Sequence, residues 1–119
     1  MCIRDSAYRG KIYVLIDGES FSASSILSTH LKHTKRAIFV GEETGGAYNG
    51  TVAGLFTGIE LPASKIKMNV GLLKINTPYV IDPDGYGIMP DTPIKRTING
   101  KDEELAWVLK NIHTSDIED

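Results

Sequence analysis

Serines crowd one short stretch of this chain: Ser20, Ser22, Ser24 and Ser25 follow directly on Asp17-Gly18-Glu19. A serine in the first turn of a helix that follows a buried strand is well placed for nucleophilic attack. The free N–H groups and the dipole of the helix stabilise negative charge developing beside it. Ser22 stands at that point, and the N–H of Ala23, next in the chain, is a donor for an oxyanion. The small residues around it let a substrate backbone approach. The competing use of such a serine is plain helix capping, which is the commoner one. No glycine follows at the spacing of a G-x-S-x-G elbow.

Other residues with chemical capacity lie further along. Gly41-Glu42-Glu43-Thr44-Gly45-Gly46-Ala47-Tyr48-Asn49-Gly50 holds too many glycines for a regular element and reads as a loop. Gly45 and Gly46 let that loop pass close to Ser22, where a Cβ would collide with substrate. Asp84, in Asp82-Pro83-Asp84-Gly85, is a carboxylate that can support a base, or simply bond its own turn backbone. Asp91 reads as structural, accepting from nearby N–H groups. Glu42 and Glu43 are neighbours on a strand end and point apart, which suits loop ordering better than a catalytic pair. His30 and His33 fall roughly 12 and 16 Å along the helix that begins at Ser22, too far to take its proton. Their spacing places two imidazoles on one face without a third ligand, so no metal site is expected. His113 falls in an exposed tail. Tyr48, Tyr79 and Tyr86 suit a substrate groove or ordinary half-buried packing equally.

Regular elements must hold these groups in place. Lys11-Ile12-Tyr13-Val14-Leu15-Ile16-Asp17 is a short, continuous apolar run between glycines, the mark of a strand buried on both faces. Ala23, Ile26, Leu27 and Leu31 follow helical spacing, with Lys32, Lys35 and Arg36 at the helix end. Ala37-Ile38-Phe39-Val40 is a second buried strand, so the start is one parallel βαβ crossover. Thr51 to Leu61 reads as a bent hairpin broken at Gly54 and Gly58. Ile66, Met68, Val70 and Leu72 alternate with polar residues as a half-exposed strand does. Asp102 caps a last helix whose apolar face is Leu105, Val108, Leu109 and Ile112, with Trp107 packed on the sheet. The class is α/β, with a sheet whose edges call for further strands.

The chain has 119 residues, 41% hydrophobic and 24% charged, which suits one small domain or a piece of a larger one. A net charge of -2 gives no footprint for nucleic acid. No apolar run reaches the roughly 18 to 20 residues that span a bilayer. One cysteine, Cys2, rules out an internal disulfide or a multi-cysteine zinc site. Residues 1–9 read as a non-native or disordered lead, without strand or helix pattern and without the apolar stretch of a signal peptide. Residues 10–112 read as the body and 113–119 as a tail.

Three segments, in order, resemble the tail-specific, or C-terminal processing, protease family. They are Asp17-Gly18-Glu19-Ser20-Phe21-Ser22-Ala23-Ser24-Ser25, Gly41-Glu42-Glu43-Thr44-Gly45-Gly46, and Asp84-Gly85-Tyr86-Gly87-Ile88-Met89-Pro90-Asp91. The resemblance implies part of a ClpP/crotonase-like ββα domain and peptide-bond hydrolysis through an acyl-enzyme. It places Ser22 as nucleophile, Ala23 N–H in the oxyanion hole, Asp84 as the supporting acid and Gly45-Gly46 in the substrate loop. It implies polypeptide substrates, no cofactor, and a periplasmic or cell-surface parent. Members with a Ser-Lys dyad carry the lysine just after the second motif, where this chain has Ala47. The resemblance therefore leans to the tricorn-like or Bacteroidota-type branch. In the tricorn-like branch a histidine base precedes the nucleophile, and no histidine precedes Ser22 here. The base is expected outside this sequence, leaving the 119 residues alone inactive. A non-catalytic binding module of the same fold is the alternative. A crotonase-type acyl-CoA enzyme is a second, against which the serine and glycine motifs argue.

Overall fold

The computed structural model describes residues 8–97 and 100–115. Its elements are β1 (Tyr13–Ile16), α1 (Ala23–His33), β2 (Ile38–Gly41), β3 (Gly50–Val52), β4 (Phe56–Glu60), β5 (Lys67–Gly71), β6 (Lys74–Asn76), β7 (Thr92–Pro93) and α2 (Glu103–Ser115). β1 and β2 pair in parallel, Tyr13 with Ile38 through Ile16 with Gly41, and α1 makes the crossover between them. The expected βαβ unit is present. β7 joins the far side of β2, also parallel, giving the order β1-β2-β7. Nothing in the sequence marked β7, because two residues ending in a proline carry no strand pattern.

Phe39 and Val40 of β2 are wholly buried, with Ile16 and Ile88 beside them. Val14, Leu31, Ala37 and Tyr48 pack around Ile16, Phe39 and Ile88. α1 keeps only part of its expected apolar face, with Leu31 packed on the core. The residues it buries are Ser25, Ser28 and Thr29, while Leu27 is 60% exposed. Small side chains let the helix lie close to the loop below it, where the Thr29 hydroxyl finds a carbonyl, while the Ser25 hydroxyl bonds back to the head of its own helix. Ser25 Oγ donates to Ser22 O at 2.8 Å, and Thr29 Oγ1 donates to Tyr48 O at 3.0 Å.

In α2 the capping expectation holds: Asp102 Oδ1 accepts from Leu105 N at 2.8 Å. Trp107 meets Tyr13 edge-on at 6.4 Å, so this helix does pack on the sheet. Only part of its expected face is covered, since Val108 is buried and Leu105, Leu109 and Ile112 are exposed.

The segment from Thr51 to Leu61 is not a hairpin in itself. β3 pairs antiparallel with β6 and β4 with β5, so residues 50–76 form one long two-stranded ribbon. Ala53 N–H to Leu73 O and Leu72 N–H to Leu55 O carry the ladder across the break. The alternation from Ile66 to Leu72 places its apolar residues on one face, as read, but Ile66, Met68 and Leu72 are exposed there.

Of the supposed lead, residues 1–7 lie outside the described residues, as do 116–119 of the supposed tail; α2 continues through Ser115. The side chain of His113 also falls outside them. Among the described residues no helix is long and apolar enough to cross a membrane.

Candidate active site

The turn between β1 and α1 is built by Asp17. Its Oδ1 accepts from Glu19 N at 3.0 Å and from Ser20 Oγ at 3.3 Å, and Ser20 Oγ in turn accepts from Asp17 N at 3.2 Å. Arg96 reaches its Oδ2 at 3.2 Å. This side chain was missed in the sequence, although an aspartate bonding an N–H two residues on is a known turn device.

The turn delivers Ser22 to the N-cap of α1 at φ 55° and ψ -118°. A positive φ at that ψ lies outside the left-handed well that side chains other than glycine occupy, and costs of order 1–3 kcal/mol. The strain is not offset by capping, since Ser22 makes no side-chain cap bond. Its carbonyl instead accepts from Ile26 N and Ser25 Oγ, leaving an exposed hydroxyl at the head of the helix. Ala23 is the first helical residue, so its N–H has no carbonyl within the helix to bond.

The glycine loop lies against this turn. Gly46 N donates to Ser20 O at 3.0 Å. A Cβ on Gly46 would stand 2.5 Å from Ser25 Oγ and 3.1 Å from Phe21 Cα, and one on Gly45 would run into Gly18 O and the Phe21 ring. Both glycines are required by contact with the serine turn itself. Thr44 fixes the loop from within: its buried Oγ1 donates to Gly46 O and accepts from Ile88 N, each at 2.8 Å. Glu43 Oε1 accepts from Gly87 N at 2.7 Å, the loop-ordering role expected of it. Asn49 holds both backbone groups of Ile81, at 2.9 and 2.8 Å.

Asp91 is structural as read. Its Oδ2 accepts from Phe39 N at 2.8 Å and its Oδ1 pairs with Lys32. Burial pushes this carboxyl upward, but the bonds from Lys32 and the Phe39 N–H, with the Lys32 charge, outweigh it and hold it below its ordinary range. Burial and the neighbouring Tyr79 push the Tyr48 hydroxyl up. His33 stacks on Tyr79 at 3.6 Å and His30 meets the same ring edge-on at 5.3 Å, so both imidazoles have an aromatic partner and neither is merely solvated. No metal-holding cluster occurs among the described residues.

An open groove of about 450 Å³ runs along the loop, and Gly45, Gly46 and Asp84 line it together with Phe21, Ala47 and Lys74. Asp84 Oδ1 accepts from Gly85 N at 2.8 Å, and its Oδ2 lies 3.7 Å from Lys74 Nζ. The loop and the acid therefore share one groove, which reaches the serine turn at Phe21. Ser22 itself sits at the helix head beside that residue.

The model of peptidase family S41 matches residues 3–94, a span that takes in all three motifs. The chain belongs to that family. The carboxyl-terminal-processing protease of Picosynechococcus is 36% identical over 101 residues, 81% of this chain and 23% of that protein. Carboxyl-terminal-processing peptidase 2 of Arabidopsis thaliana, chloroplastic, is 33% identical over 98 residues, 82% of this chain and 18% of that protein. The chain thus spans about a fifth of the length of these two S41 relatives. The solved structure of mature CPAF complexed with lactacystin shares the fold, with a TM-score of 0.61 over 94% of this chain and 22% of that one, at 24% identity.

Proposed function

We propose that this chain is the nucleophile-bearing part of a serine peptidase, with Ser22 as the attacking residue. The observation that carries the reading is the strained Ser22 backbone in a strand–turn–helix, with its hydroxyl unused for capping. Strain of this kind persists where the surroundings over-determine it, which the Asp17 turn and the Gly45-Gly46 loop do. In this reading Ser22 Oγ attacks the scissile carbonyl and the Ala23 N–H receives the developing oxyanion. The amine departs, and water then releases the acyl group from Ser22. Asp84 supports the base from across the groove. In this reading the base comes from outside this sequence, because Ala47 stands where dyad members carry lysine and no histidine precedes Ser22.

The full domain is of the ClpP/crotonase-like kind, with residues 10–112 as its C-terminal part, and its parent is exported to the periplasm or cell surface. The relatives named as processing proteases support polypeptides as the substrate class. A second reading, a non-catalytic peptide-binding module, is favoured by Ala47 at the place of the dyad lysine.

A fluorophosphonate probe on the full-length protein that carries this chain separates the two. We expect labelling that Ser22→Ala abolishes and Ser20→Ala retains. Labelling that survives Ser22→Ala would falsify the assignment, and a wild-type protein that never labels supports the binding module.

A further inference from the structure

We propose that the groove beside Ser22 receives a carboxylate of the bound peptide, and that Lys74 holds it. The inference rests on the peptidase reading for its substrate class but not for its test. Among the described residues, Lys74 is the one cationic side chain lining this groove, and Asp84 the one anionic. The antiparallel register sets Val52 directly opposite Lys74, so a methyl wall and an ammonium project from the same face of the ribbon. Phe21 and Ala47 complete the apolar side. A volume of about 450 Å³ admits a short stretch of peptide, at the lower end of the range for ligand sites.

The ammonium is held near Asp84 but not consumed by it. At 3.7 Å the pair is longer than a hydrogen bond, and the other Asp84 oxygen is occupied by Gly85 N–H. Lys74 therefore keeps its three donors for a ligand, on a flexible stem that can follow it. Asp84 offsets the Lys74 charge, which disfavours a dianion, so a carboxylate is held there by direct bonds from the Lys74 ammonium and not by net charge. A peptide offers that group in two ways, as its C-terminus or as an aspartate or glutamate side chain. Either would lie with an apolar neighbour against Phe21 and Val52.

The test reads binding without turnover, by fluorescence anisotropy on the full-length Ser22→Ala protein. Two matched peptide pairs are used, one differing as free C-terminal acid against amide, the other as internal Glu against Gln. We expect about tenfold tighter binding of the carboxylate member in one pair, and the pair that responds identifies the source. The preference should collapse to near unity in Lys74→Met and in Lys74→Gln, return in Lys74→Arg, and weaken as salt rises. Equal affinities within both pairs, or a preference that survives both neutral Lys74 variants, overturns the proposal. Thermal melts of the neutral variants establish that they are folded. A wild-type protein that fails to label at Ser22 counts against the peptidase reading alone, because this measurement does not pass through the acyl-enzyme.

Discussion

Phe39 and Val40 on β2 lose all contact with water, whereas Ile59 and Met68, paired across β4 and β5, stay 43% and 45% exposed. The βαβ base and the ribbon are thus held together differently. In the base, a small apolar core is tied to the loop between β2 and β3 by side chains that bond backbone: Thr29 donates to Tyr48 O, and Thr44 accepts from Ile88 N. In the ribbon, backbone pairing does nearly all the holding. Leu55, Ile59, Leu61, Ile66, Met68 and Leu72 leave one apolar face open. A two-stranded ribbon with an uncovered face is marginal alone in water. The serine turn belongs wholly to the base, and the groove is where the base meets the foot of the ribbon. The candidate site therefore rests on the part of the chain that is tied down by its own contacts.

The sharpest way to break the base is Gly46→Ala. The new methyl must displace Ser25 or the Phe21 backbone, at about 1–3 kcal/mol by overpacking. Its effect on Ser22 should be larger than its effect on folding, because an ångström of displacement costs on the order of 100-fold in rate. Parallel denaturation curves and probe-labelling rates would show it. Wild-type stability and wild-type labelling together would mean that the loop does not position the turn.

A smaller effect is expected at Asp91, which ties β2 to α1 through Lys32. Its folded pKa lies below the unfolded value of about 3.9, so its contribution is complete above that pH and fades as pH falls through the folded value. Asp91→Asn should lower Tm by a few degrees at pH 7, with the gap to wild type closing below about pH 4. A gap that persists at pH 2 would assign the loss to packing instead of charge.

Much of the base was legible because its signals are local. A β-branched run between glycines, a cluster of capping residues and a second apolar run define the crossover with no knowledge of contacts. The glycine loop was legible from composition, and in the structure it lies against Gly18, Ser20 and Phe21 of the serine turn. The buried face of α1 was not legible. Ser25 and Thr29 look like surface residues until Gly46 and Tyr48 O of the loop are placed against them. Nor was the ribbon, since pairing Val52 with Lys74 is a contact across 22 residues that no local pattern encodes. Lys74 was passed over for the same reason. The torsion at Ser22 leaves no trace in a sequence that lacks the glycines of the usual elbow.

The gentlest test falls on the ribbon. If its apolar face is open in solution, Ile59→Ser and Met68→Ser each change the folding free energy of this chain by no more than about 0.5 kcal/mol, as surface changes do. Their cross-strand position makes the pair non-additive by at most a similar amount. The same substitutions in a longer protein that carries this chain would report on whether anything covers the face there. A loss of about 1.5 kcal/mol or more per residue is the cost of uncovering a buried aliphatic side chain. Denaturant unfolding of both forms measures the two numbers. A large loss in the 119-residue chain itself would mean that the ribbon folds back on the base, and that the contrast between the two regions is false.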